Sequence, residues 1–151
     1  MTLKLGMVGG GQGAFIGGVH RMAARLDGRW ELVAGALSSD PARAAASAAD
    51  LGIAADRSYS DFAQMALAEV SRPDGIDAVA IVTPNHLHAK VATAFLRAGI
   101  AVICDKPMTA TLAEAEELAA LAAETAVPSV LTQPYTGYPM VRAARRMIAE
   151  G

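Results

Sequence analysis

Apolar positions in this chain fall into two alternating patterns. Leu3 to Val8, Glu31 to Leu37, Ala78 to Val82, Ile100 to Cys104 and Ser129 to Thr132 are short, nearly continuous apolar runs. Between them lie longer alanine-rich stretches. Runs of the first kind suit strands buried on both faces, and the stretches between suit helices packed against a parallel sheet. The punctuation agrees. Gly9-Gly10-Gly11 stops the first run, and a helix over Ala14 to Leu26 meets its stop at Asp27-Gly28. Asp40-Pro41 supplies an N-cap and a first-turn proline for a helix that runs to about Leu51. A short strand at Arg57 to Tyr59 precedes a helix from about Asp61 to Val70. Thr83-Pro84-Asn85 ends the fourth strand, and a helix over His86 to Ala98 closes at Gly99. Thr111 and Glu114 have capping-box spacing and open a helix to about Thr125, and Pro139 to Glu150 reads as a last helix.

The alternation predicts an α/β fold: a doubly wound parallel sheet, or Rossmann fold, of about six strands with helices on both faces. The expected strand order is near 3-2-1-4-5-6. Ligands of such sheets lie beyond the carboxyl ends of the strands, where the chain reverses direction across the sheet. That rule gathers Gly9 to Gly13, Ser38 to Asp40 and Thr83 to Asn85, with Asp105-Lys106 beside them.

Composition narrows the partners. The chain has 151 residues, 53% of them hydrophobic and 19% charged, enough for one packed domain. Thirty-four are alanine, which favours helices lying close on a flat sheet. Thirteen Lys and Arg against 15 Asp and Glu give a net charge of −2 with no basic block, so nucleic-acid binding is not expected. Every apolar run is interrupted well short of a membrane span. The single Cys104 excludes an internal disulfide, and the N-terminus has no signal-peptide pattern; both predict a cytoplasmic protein. His86 and His88 are two apart, so on a helix they point different ways. Cys104 also lacks a C-x-x-C partner, and no metal site is expected.

Gly9-Gly10-Gly11-Gln12-Gly13-Ala14 fits G-x-G-x-x-A between a strand and a helix. Gly9 allows the tight turn, Gly11 lets backbone approach a pyrophosphate, and small Ala14 permits close packing of helix on strand. Free N–H groups at the helix start then face phosphate. This predicts a dinucleotide site. The second strand ends at Ser38-Ser39, without the acidic residue that would hold an adenosine 2′-hydroxyl. With Arg43 one turn into the next helix, two hydroxyls and a guanidinium favour a 2′-phosphate, hence NADP over NAD. Asp40 is assigned to capping the helix. Gly17 and Gly18 read as packing positions, and His20 as a packed helix residue.

Four segments together resemble the N-terminal domain of the glucose–fructose oxidoreductase and inositol dehydrogenase family, Gfo/Idh/MocA. They are Gly13-Ala14-Phe15-Ile16-Gly17, Thr83-Pro84-Asn85-His86-Leu87-His88, Asp105-Lys106-Pro107 and Tyr135-Thr136-Gly137-Tyr138-Pro139. The resemblance implies that Gly9, Gly11, Gln12, Gly13, Ala14, Phe15 and Ile16 form the phosphate side of the cofactor site. By the same resemblance Thr83, Pro84, Asn85 and His88 line the cofactor, with Asp105, Lys106 and Pro107 beside it. Lys106 matches the family lysine near nicotinamide and substrate, a donor to the reacting oxygen. Pro107 matches a proline often preceded by a cis bond. Two departures stand out: Asp105 replaces the usual glutamate, and Gln133-Pro134 replaces an asparagine-containing loop.

The implied function is hydride transfer between NAD or NADP and a sugar, polyol or related hydroxyl compound. Residues 1–132 form the dinucleotide-binding domain, and residues 133–151 a connector loop and helix leading toward a substrate domain absent from this chain. The expectation is cofactor binding with little turnover. Homo-oligomerisation or a mobile tail is expected if the last strand and helix are left uncovered. A non-catalytic dinucleotide-binding or sensing module, and a methyltransferase with a similar glycine loop, are the competing readings.

Overall fold

The computed structural model describes residues 2–151. Five parallel strands form one sheet in the order β2-β1-β3-β4-β5. They are β1 (Leu3–Gly9), β2 (Trp30–Ala36), β3 (Ala78–Val82), β4 (Ala101–Cys104) and β5 (Ser129–Leu131). The helices are α1 (Phe15–Arg25), α2 (Pro41–Asp50), α3 (Phe62–Val70), α4 (His88–Arg97), α5 (Leu112–Thr125) and α6 (Pro139–Glu150). Single 3₁₀ turns lie at Ala55–Arg57, Asn85–Leu87 and Pro134–Gly137.

Strand alternation sorts the core into two layers. Val79 and Ile81 of β3 pack with Met65, Val91, Phe95 and Leu96 from α3 and α4. Ala78, Ala80 and Val82, the other face of the same strand, pack with Leu5, Met7, Ala48 and Ile53. Every residue of β3 is buried, which explains why it carries no polar position. The N-terminal signals act as expected: Asp40 caps α2, Asp61 caps α3, and Thr111 with Glu114 forms a complete capping box on α5.

Among the described residues the third of the six expected strands is absent. In place of a strand over Arg57 to Tyr59, Ala55–Arg57 is a 3₁₀ turn, and only Ser58 bridges Gly35 of β2. The cause is the side chain of Arg57, drawn inward to a buried carboxylate. Arg57 and Glu69 of α3 form an ion pair, and Tyr59 Oη donates to Glu69 Oε1 at 2.9 Å. Glu69 is 1% exposed and Arg57 6%. Ladder pairing gives way to satisfying this charge. The rudiment does sit outside β2, where a strand of that order belongs. A second adjustment concerns His86 and His88, which do not share a helix. His86 lies in the 3₁₀ turn, and α4 begins at His88.

Candidate functional site

The chain runs from β1 outward to β2, then returns past β1 to β3, so the direction reverses between β1 and β3. Gly9 pairs with Val82 there, which sets the loops after the two strands side by side. Gly9 has φ +80°, and a Cβ on it would stand 2.9 Å from the Val82 carbonyl oxygen. Only glycine fits that turn. Behind it, the helix crosses the loop closely: a Cβ on Gly17 would lie 2.6 Å from Gly10 Cα. Gly17 is therefore a packing position, whereas Gly18 meets nothing nearer than Arg21 at 3.8 Å. Gly11 also has a packing reason, since its Cβ would stand 2.7 Å from both Leu37 O and Ser47 Oγ.

The loops enclose a cleft of about 720 Å³ across the carboxyl ends of β2, β1 and β3, a volume in the range of small-molecule and cofactor sites. Of the residues expected at the site, Gly9, Gly11, Gln12, Gly13, Ala14, Ser38, Ser39, Arg43, Thr83 and Pro84 line it. The start of α1 has no side-chain cap, which leaves its first N–H groups available to an anion. Arg21 braces the loop from below, donating from Nη1 to Gly10 O at 2.8 Å. Burial and the nearby Arg25 lower its pKa.

At the other end Arg43 joins the two walls. Its backbone N–H donates to Asp40 Oδ1 at 2.7 Å, and its Nη2 to Gln12 O at 3.2 Å. Asp40 is thus engaged as the helix cap, and Ser38 Oγ accepts from the Asp40 N–H at 3.2 Å. In the middle, Thr83 Oγ1 is buried without a hydrogen-bond partner among the described residues. A buried hydroxyl left unpaired inside a cleft is one that a bound ligand would satisfy.

Several expected residues lie elsewhere. The Gln12 side chain turns away from the cleft to donate to Asp50 Oδ2 at 2.7 Å. Phe15 is 84% exposed and borders a smaller pocket behind the loop. Ile16 packs into the core beneath α1. Asn85, Asp105, Lys106 and Pro107 are outside the cleft lining. His88, expected to line the cofactor, is 2% exposed, with both ring nitrogens held by backbone carbonyls. Lys106 is exposed, and among the described residues it forms no ion pair with Asp105. Asp105 instead accepts from Thr132 Oγ1 at 2.9 Å and faces His20 Nε2 at 3.7 Å. The Lys106–Pro107 bond is cis.

Ser60, Asp61, Phe62 and Leu87 also line the cleft and were not anticipated. Ser60 and Asp61 follow the shrunken third strand, so the carboxyl-end rule, applied to that strand as well, would have found them. Cys104 is outside the cleft, at the end of β4 against α4 and α5. Burial, reinforced by Asp105, raises its thiol pKa to about 12, which makes it an inert packing group.

The fold and cleft define a dinucleotide-binding α/β domain, and the comparisons give the family. The oxidoreductase family described as having an NAD-binding Rossmann fold, Gfo/Idh/MocA, matches residues 3–133. This chain belongs to that family. An oxidoreductase from Sinorhizobium meliloti of known structure is 58% identical, with a TM-score of 0.93, over all of this chain and 42% of that one. An inositol dehydrogenase homolog from Azotobacter vinelandii, solved with NADH and myo-inositol, is 40% identical with a TM-score of 0.95, over all of this chain and 40% of that one. An uncharacterized oxidoreductase of Bacillus subtilis, YfiI, is 38% identical over 99% of this chain and 38% of that protein. The chain thus spans about two fifths of the length of these relatives. No helix among the described residues is long and apolar enough to cross a membrane.

Proposed function

We propose that this chain is the cofactor-binding part of a cytoplasmic NAD(P)-dependent oxidoreductase acting on a sugar, polyol or related hydroxyl compound. The observation that carries the reading is the cleft at the reversal between β1 and β3. An uncapped helix start lies at its centre, and the unpaired Thr83 hydroxyl in its wall. The substrate class follows from relatives such as the inositol dehydrogenase homolog and a levoglucosan dehydrogenase of Pseudarthrobacter phenanthrenivorans, 31% identical over 157 aligned residues.

The roles divide along the cleft. Gly11, Gly13 and Ala14 present backbone to the pyrophosphate, with the α1 dipole favouring its charge. Ser38, Ser39 and Arg43 take the adenosine ribose. Thr83 and Pro84 line the middle, and the segments carrying Asn85 and Lys106 lie toward the nicotinamide end. The bound nicotinamide would supply hydride acceptance and donation. Lys106 would hold the substrate's reacting oxygen, an interaction that strengthens as charge develops there. Its exposed amine, free of an ion pair with Asp105, suits that role. Residues 1–132 form the cofactor domain, and residues 133–151 lead toward a substrate-binding portion. The exposed apolar groups of α6 support a further protein surface there, from that portion or from a second copy of the chain.

Between the two cofactors, this reading favours NADP. No carboxylate is free at the end of β2, because Asp40 caps α2, and Arg43 reaches across to the glycine loop. A charge-assisted hydrogen bond contributes about 1.5–3 kcal/mol, a preference of roughly 10- to 100-fold. Calorimetric titration of both dinucleotides tests this, with Arg43→Ala as the control. The expected result is tighter NADP binding that Arg43→Ala selectively weakens. Equal affinities, or equal losses for both, would remove the 2′-phosphate site.

A further inference from the structure

His88 stands at the first turn of α4, its side chain fully enclosed behind the cleft. Its Nδ1 is 2.6 Å from the Pro107 carbonyl oxygen and its Nε2 is 2.9 Å from the Thr83 carbonyl oxygen. Both carbonyl oxygens can only accept, so a ring nitrogen that carries hydrogen donates to the carbonyl it faces. The two carbonyls belong to different loops. One follows β3 and carries Thr83, whose hydroxyl is unpaired; the other follows β4 and carries Lys106. Besides the strand pairing of β3 with β4, the Asp105 N–H donates to Ile81 O at 3.0 Å, just before the two loops part. Past that point His88 is, among the described residues, the side chain that ties them together.

We propose that His88 is a positioning residue that holds the Thr83 and Lys106 loops at a fixed separation, setting the nicotinamide end of the cleft. This rests on the dinucleotide reading above. The ring makes no ligand contact itself; it acts through two backbone carbonyls. Removing the ring takes away the polar group that both part-buried carbonyls face, and each loop is then free to shift toward water. The phosphate end, built by the glycine loop and Arg43, does not depend on His88 and keeps its geometry.

The test compares His88→Leu, which has no donors, with His88→Gln, whose amide nitrogen offers two hydrogens. Calorimetry with NADP and with ADP reads the two ends of the cleft separately. The expected result for His88→Leu is at least tenfold weaker NADP binding, with ADP affinity within twofold of the unaltered chain. His88→Gln should recover much of the loss. Unchanged NADP affinity, or parallel losses of NADP and ADP, would overturn the proposal, the latter marking His88 as a general packing residue.

Amide hydrogen exchange without ligand supplies a second arm. Residues 83–87 and 106–110 should both exchange faster in His88→Leu, and in His88→Gln if the Leu variant fails to fold. Acceleration in one loop only, or in neither, would overturn the coupling. Failure of the unaltered chain to bind either nucleotide would instead remove the dinucleotide reading, and the exchange arm would still decide the role of His88.

Discussion

The two edges of the sheet are built differently. On the β2 side, an ion-pair network closes the edge: Arg57, Glu69 and Tyr59 inside, with Arg72 bridging Asp56 at 3.0 Å and Asp74 at 2.9 Å outside. Arg72 holds the Asp74 carboxyl below its ordinary pKa, and burial with the Glu69 contact raises the Tyr59 phenol to about 12. On the β5 side, the strand itself is mostly exposed, Val130 at 57%, and α6 buries no residue. Met140, Met147 and Ile148 of α6 stand in solvent. The cleft lies toward the closed edge. A ligand site needs walls that stay in place, and here those walls are anchored by charge as well as by packing.

The largest effect that would break this contrast is removal of the buried carboxylate. Glu69→Ala leaves Arg57 enclosed without its main partner, and such uncompensated charges cost about 3–5 kcal/mol. Denaturant unfolding should show that loss; a change under 1 kcal/mol would mean that Asp74 alone can hold Arg57. Gly17→Val comes next, because its Cβ must enter the space of Gly10 backbone. The expected cost is about 1–3 kcal/mol, accompanied by weaker dinucleotide binding, since the displaced atoms belong to the glycine loop that lines the cleft. Retained affinity in a destabilised variant would separate the crossing of α1 from the cleft. The smallest effect belongs to the open edge: Ile148→Gln should change stability by no more than about 0.5 kcal/mol. A larger loss would show that α6 is covered in solution.

Sequence patterning located the strands and helices well wherever local signals and tertiary packing agreed. Asp40-Pro41, Asp61 and the Thr111–Glu114 box each started a helix where expected. It failed at Arg57 to Tyr59, because an arginine in an otherwise extended segment gives no hint of a carboxylate twelve residues further along the chain. The tight turn at Gly9 and the glycine-loop wall of the cleft were legible in glycine spacing. The burial of His88 was not, because T-P-N-x-x-H reads the same whether the last ring faces a ligand or two carbonyls. Nor does sequence show which way Gln12 points, since the choice depends on Asp50 being within reach across the loop.

The lone cysteine has one further consequence. Cys104 pairs in register with Ile81 on one side and Leu131 on the other, and its thiol is inert while it stays enclosed. Alkylation of this protein is therefore a clock. Each modified molecule records one excursion that uncovered the β4 face beneath α4 and α5, and the rate at a given pH tracks how often that opening occurs. Because β5 is the less protected neighbour, the clock reports whether the outer strand lifts alone or only when the whole domain unfolds.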